Sequence, residues 1–249
     1  MATILEVCVD SLASARAAIA GGAQRLELCS ALIAGGLTPY EGLLRQIREE
    51  SDIPIRCLMR PRPGDFLYTP EELKLLRGQI FGLKAAGSDG FVIGCLTADG
   101  VLDREAMKPL IDACVGCGIT LHRCIDVSRD PEETYLAASE MGIDTVLTSG
   151  AAASCRAGRN TIEQLIALRD QTGSAEVLIG AGVNADVIRM FRQTVPGALA
   201  FHMSGKTELE SAMRFRREGV PMGLPGLDEW HIQQTDPAAI AAARKALDE

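Results

Sequence analysis

The chain has 249 residues, of which 47% are hydrophobic and 23% charged, and its formal net charge is −8. That apolar fraction excludes a disordered chain and suffices for a sizeable core. The acidic balance argues against a nucleic-acid partner, since the short Arg214, Arg216 and Arg217 run reads only as a solvated helix face.

Apolar runs recur along the chain and predict strands at Ile4–Val9, Arg25–Cys29, Ile55–Met59, Gly90–Gly94, Thr120–Cys124, Thr145–Thr148, Glu176–Ile179 and Leu199–His202. Stretches with apolar residues three and four apart lie between them, such as Leu73, Leu76, Ile80 and Leu83. Repeated βαβ units of this kind predict a parallel sheet closed as a (β/α)8 TIM barrel. The rival, an open doubly wound sheet, calls for a G-x-G-x-x-G turn after the first strand, where this chain has Cys8-Val9-Asp10-Ser11. The eighth helix is predicted near Glu208–Arg217, and the barrel near residues 3–218 of one 249-residue domain. Loop residues from Gly219 then lead to an extra C-terminal helix, Pro237–Leu247, capped by Asp236. No apolar stretch reaches the roughly 20 residues of a membrane span, and Met1–Asp10 lacks the features of a signal peptide, so a cytoplasmic location is expected.

In such barrels the functional face lies at the C-terminal ends of the strands. Strand parity puts Glu6, Cys8 and Asp10 on one face, and Glu27 and Cys29 on one face of the next strand, with the intervening Val and Leu packing outward. Two carboxylates would then point inward, where burial is costly unless they are paired. Arg60, Arg62 and His122 are available at the same end. An enzyme acting on a small carboxylated or phosphorylated metabolite would use Glu6 or Glu27 as general base and His122 as acid or electrophile. Arg60 and Arg62 would grip the anion, on a loop stiffened by Pro61 and Pro63. Asp65, Arg123, Asp126, Ser149, Gly182, His202 and Ser204 complete the candidate substrate site.

All eight cysteines are expected to be reduced in a chain with no export signal. Cys8 and Cys29, at matching heights on neighbouring strands, are candidates to hold a soft Cu(I) ion. Cys114 and Cys117 form a C-x-x-C pair with no second pair to complete a zinc site, and are read as incidental.

These segments together resemble the CutC copper homeostasis family. The matching stretches are Glu6-Val7-Cys8-Val9-Asp10-Ser11, Arg25-Leu26-Glu27-Leu28-Cys29-Ser30, Gly35-Gly36-Leu37-Thr38-Pro39, Arg60-Pro61-Arg62 with Gly64-Asp65-Phe66, His122-Arg123, Asp126 and Val146–Gly150. The likeness continues through Gly94 with Leu96-Thr97, Asp99-Gly100, Gly180–Val183 and Phe201-His202 with Ser204. It departs at Pro63, at Leu121, Cys124 and Ile125, and at Ala181. The resemblance implies a TIM barrel, a cytoplasmic homo-oligomer (dimer or tetramer), no organic cofactor, and copper handling with Cys8 and Cys29 as the Cu(I) ligands. The run lengths and the acidic balance, for their part, leave no membrane and no nucleic-acid partner expected.

Overall fold

A computed structural model describes residues 3–220, 222, 223 and 229–249. Eight parallel strands close into a barrel: β1 Ile4–Val9, β2 Arg25–Leu28, β3 Ile55–Leu58, β4 Gly90–Ile93, β5 Gly118–Leu121, β6 Thr145–Thr148, β7 Glu176–Ile179 and β8 Ala200–Met203. The helices α1 Leu12–Ala20, α2 Glu41–Glu50, α3 Pro70–Ala85, α4 Arg104–Ala113, α5 Pro131–Glu140, α6 Arg159–Thr172 and α7 Ala185–Thr194 follow the first seven strands. None of the described helices is long and apolar enough to cross a membrane.

Strand parity divides the barrel into an outer and an inner face. Leu5, Val7, Val9, Leu26, Leu28, Phe91, Ile93, Val177 and Phe201 belong to the large core between strands and helices. The alternate residues fill the interior. There Cys29, Leu58 and Val92 form one small apolar cluster, and Leu147, Leu178 and Ala200 another. At the N-terminal end Arg56 crosses the interior to donate to Thr120 Oγ1 at 2.6 Å and to Asp144 Oδ1 at 2.7 Å.

The fifth strand begins two residues earlier than the sequence pattern indicates and ends at Leu121 rather than Cys124. His122 Nδ1 accepts the Cys124 N–H at 3.2 Å, which turns the chain into a short 3-10 helix, Arg123–Val127, instead of extending the ladder.

The predicted helix near Glu208–Arg217 does not form. Residues Lys206–Glu210 are strand β9, paired antiparallel with β10, His231–Thr235, with Ile232 opposite Leu209. Arg216 is accordingly not on a helix face; it pairs with Glu210 at 2.7 Å and lies over the Trp230 ring. Part of the predicted loop from Gly219 to Gly226 lies outside the described residues. The terminal helix α8, Pro237–Asp248, capped by Asp236 as expected, is therefore the eighth helix of the ring and not an addition to it. It packs against α7 and α1 and buries Ile240, Ala243, Ala246 and Leu247.

Because α8 closes the ring, truncating its buried face should weaken the whole barrel. Ile240→Ala is expected to cost about 2–5 kcal/mol, as for other buried Ile truncations. Urea unfolding monitored by far-UV circular dichroism measures this, and an unchanged midpoint would show that α8 is a detachable appendage.

Candidate active site

The register of β1 against its two neighbours builds the innermost part of the site. Glu6 lies beside Arg25 on β2 and beside His202 on β8, and Cys8 lies beside Glu27. Glu6 is wholly buried. One carboxylate oxygen accepts from Arg25 Nε, and the other is 2.8 Å from His202 Nδ1. Burial opposes ionisation of Glu6, but Arg25 and His202 outweigh it and hold the carboxyl at about 2. Burial would likewise strip the proton from His202; Cys8, Glu27 and Glu6 outweigh it and raise its pKa well above the ordinary value.

Above this set opens a cavity of about 510 Å³ at the C-terminal ends of the strands. Cys8, Glu27, Arg60, Phe66, His122, Arg123, Asp126, Gly182, His202, Ser204 and Lys206 are among the residues that line it. Burial pushes the Glu27 carboxyl up to about 7, against the pull of His202, and Glu27 Oε2 has no hydrogen-bond partner in the protein. His122 is held neutral: burial, reinforced by the Arg60 charge, pushes its pKa down to about 3. Its Nδ1 accepts from Cys124, so the proton sits on Nε2, which is buried and unpartnered. The ring fits because residue 94 is glycine; a Cβ there would come within 2.5 Å of His122 Cε1. Phe66 covers the ring at 4.7 Å between centroids.

Arg60 is fixed without a carboxylate. Its guanidinium donates to the carbonyls of Ala34, Gly36 and Gly64 at 3.1–3.2 Å and lies 5.4 Å from the Phe66 ring centre. The Gly35-Gly36 turn, with φ of +86° and +83°, wraps closely enough that a Cβ at Gly35 would stand 3.1 Å from Arg60 Nη1. Arg62 is placed differently from the sequence expectation. It points away from the cavity and is neutralised by Glu72 at 2.6 Å and Asp65 at 3.0 Å, so neither Arg62 nor Asp65 lines the site. Asp126 reaches the cavity, but its oxygens already accept from Thr148, Ser149, Ala151 and Arg123. Ser149 is fully buried in that network and does not line the cavity.

The cysteines separate as well. Cys8 faces the cavity, whereas Cys29 is buried, with its thiol 3.6 Å from the Val9 carbonyl. Burial pushes the Cys29 thiol far up, with the nearby Cys8 adding to the effect. Glu6, Glu27 and His202 could each offer a ligand atom within 4.8 Å of the others. The Glu6 oxygens, however, are already engaged by Arg25 and His202. Cys114 is buried near Cys117 at the end of α4, and neither lines the cavity. Arg25 is the partner the sequence reading did not assign; its shared parity with Glu27 was the available signal.

Two consequences are measurable. Glu6→Gln leaves Arg25 and His202 buried without their counter-charge, and should cost about 3–5 kcal/mol in denaturant unfolding; a loss under 1 kcal/mol would show that the set is dispensable. His122 rejects a proton that its unfolded counterpart accepts below pH 6.5. Its folded pKa is depressed, so acid costs the folded state: between pH 6.5 and 3 the native chain should lose stability relative to a His122→Asn variant. Parallel stability curves for the two proteins over that range would contradict this.

The comparisons with known proteins agree on one family. The CutC family's sequence model matches residues 3–207. The chain is 40% identical to a CutC family protein of Vibrio campbellii (strain ATCC BAA-1116) over 250 residues, covering 99% of this chain and all of that one. It is 38% identical over 235 residues to the Mus musculus protein named copper homeostasis protein cutC homolog, covering 94% of this chain and 85% of that one. The solved CutC structure from Streptococcus agalactiae superposes with a TM-score of 0.75 at 25% identity, over 81% of this chain and 98% of that one. The chain belongs to the CutC family, whose fold, in this member, is a closed eight-stranded TIM barrel.

Proposed function

We propose that this protein is an enzyme whose cavity binds a small organic anion carrying a carboxylate or phosphate. The observation that carries this reading is Arg60. Its guanidinium is locked by neutral carbonyls and has no carboxylate partner among the described residues, so its charge is left for a ligand. A fixed guanidinium at a recessed site binds an anion more strongly than one in water, because the local dielectric is lower and no rotamer entropy is lost. Lys206 on the rim adds a second positive charge. Ala181, beside Gly182, holds a left-handed φ of +71°, a conformation costly for a residue with a Cβ, and such strain gathers at functional sites.

A second reading is Cu(I) binding, favoured by the name of the mouse relative and by Cys8 facing the cavity. Thiolate and imidazole suit Cu(I), and carboxylates suit harder ions. Cys8 with the His202 ring is thus the fitting donor pair, while Cys29 would first have to give up the Val9 carbonyl and a proton that burial makes hard to lose. The family resemblance further suggests a cytoplasmic dimer or tetramer.

The two readings separate by experiment. A panel of carboxylated and phosphorylated metabolites should raise the melting temperature of the native chain, and Arg60→Ala should abolish the rise while the barrel stays folded. No rise with any member, or a rise that survives Arg60→Ala, would remove the anion reading. In Cu(I) titrations of reduced protein, Cys8→Ser should weaken binding more than Cys29→Ser; binding unchanged in the double variant would remove the copper reading.

A further inference from the structure

Three cavity-lining residues carry a buried polar atom without a protein partner, Arg60 Nε, His122 Nε2 and Glu27 Oε2, and the last two differ in kind. His122 is 5% exposed and Glu27 is 6% exposed, and both line the cavity. His122 Nε2 is a donor, because Nδ1 accepts the Cys124 N–H and a neutral imidazole carries its one proton on the other nitrogen. Glu27 Oε2 is a carboxyl oxygen with no partner. A buried polar group without a hydrogen bond costs about 1–3 kcal/mol, so two of them facing one cavity point to a ligand that satisfies both. Glu27 is on β2 and His122 directly follows β5, with β3 and β4 between those strands, so the two groups approach a ligand from different sides.

Glu6 cannot share the task. Both of its oxygens are engaged, and it does not line the cavity. Arg60, beside the Phe66 ring that also covers His122, supplies the anchor for an anionic group. The site thus holds an anion anchor, a neutral N–H donor and an unpaired carboxylate.

We infer that the substrate is an anionic carbonyl compound, with its carbonyl oxygen on His122 Nε2–H and the C–H next to the carbonyl facing Glu27, and that the reaction begins by removing that proton. This rests on the anion reading given above and assigns its chemistry. In the step, the Glu27 carboxylate forms an O–H bond with the proton and the C–H bond breaks. The C–H electron pair becomes the C=C bond of an enolate, and the carbonyl π pair moves onto the oxygen held by His122. Return of a solvent-exchanged proton from Glu27 to the same carbon regenerates the carbonyl compound and completes an exchange, with no oxidant, reductant or further reactant. A neutral imidazole suits the oxyanion, because it stabilises the developing charge through a hydrogen bond without giving up a proton beforehand.

The test uses pyruvate and dihydroxyacetone phosphate as probes, an anionic 2-oxo acid and an anionic phosphorylated ketone. Each is incubated with the full chain in D2O. Loss of the α-proton signal is followed by NMR, and binding is followed separately by thermal shift. At least one probe should bind and exchange faster than in buffer. Glu27→Gln should slow that exchange at least about 100-fold with binding retained, the range expected for loss of a general base. His122→Gln should slow it too. In case that variant fails to fold, the native chain is examined directly: the 1H–15N spectrum should show a neutral His122 with its proton on Nε2, and that resonance should move when the probe binds. A probe that binds without exchange, exchange that survives Glu27→Gln, or a His122 protonated on Nδ1 alone would overturn the inference and leave the anion reading standing. Binding of neither probe would overturn the inference, and loss of all Arg60-dependent binding across the wider panel would remove the anion reading beneath it.

Discussion

A carboxylate at the centre of a barrel wall is the constraint on which this structure depends. Glu6 sits on β1, the strand where the barrel closes against both β2 and β8, and it is fully buried. An unpaired charge there would be prohibitive. Arg25 and His202 come from the two neighbouring strands, so one side chain ties both edges of the closing strand together. The register that brings them to Glu6 also sets Cys8 next to Glu27 one step higher. The floor of the cavity is thus decided by the same pairing that closes the sheet.

Charge around the cavity is unevenly spent. Glu6 is consumed by Arg25 and His202, Asp126 by Arg123 and a set of hydroxyl and backbone donors, and Arg62 by Glu72 and Asp65. Arg60 alone among these arginines is held only by carbonyls. Carbonyl oxygens fix the direction of a guanidinium without cancelling its charge. Networks that neutralise themselves rigidify the walls; a fixed charge left over is available to a ligand.

The barrel itself was legible in the sequence because parity and period are local signals. Alternation of Glu6 and Cys8 with Leu5, Val7 and Val9 predicts which side chains face inward, and the structure keeps that division. What was not legible depended on partners distant in the chain. The stretch Glu208–Arg217 reads as a helix, yet residues 206–210 are held as a strand by residues 231–235, a pairing no local pattern announces. The missing helix was then mistaken for an extra one at the C-terminus, where α8 in fact completes the ring. Arg62 is a similar case. Proline on either side narrows its backbone as expected, but its direction is set by Glu72, which also closes the capping box of α3 with Thr69. Stiffness was readable from the sequence, whereas direction was not.

The position of Cys8 connects the two functional readings. Cys8, Glu27 and His202 all line the same cavity, and the His202 ring turns its Nδ1 to Glu6. A Cu(I) ion bound by Cys8 and His202 Nε2 would put a positive charge beside Glu27. That charge would draw the Glu27 carboxyl down from its raised pKa, since a nearby cation favours the ionised form. It would also occupy space in a cavity of about 510 Å³ that an organic anion has to share. If both bind, copper and the organic ligand would be coupled through one wall of the barrel, and linkage would make the coupling reciprocal: whatever the ion does to the affinity of the anion, the anion would do to the affinity of the ion. On this geometry the two proposed readings do not require separate sites, because a thiol, an imidazole and a carboxyl on three adjoining strands would serve both.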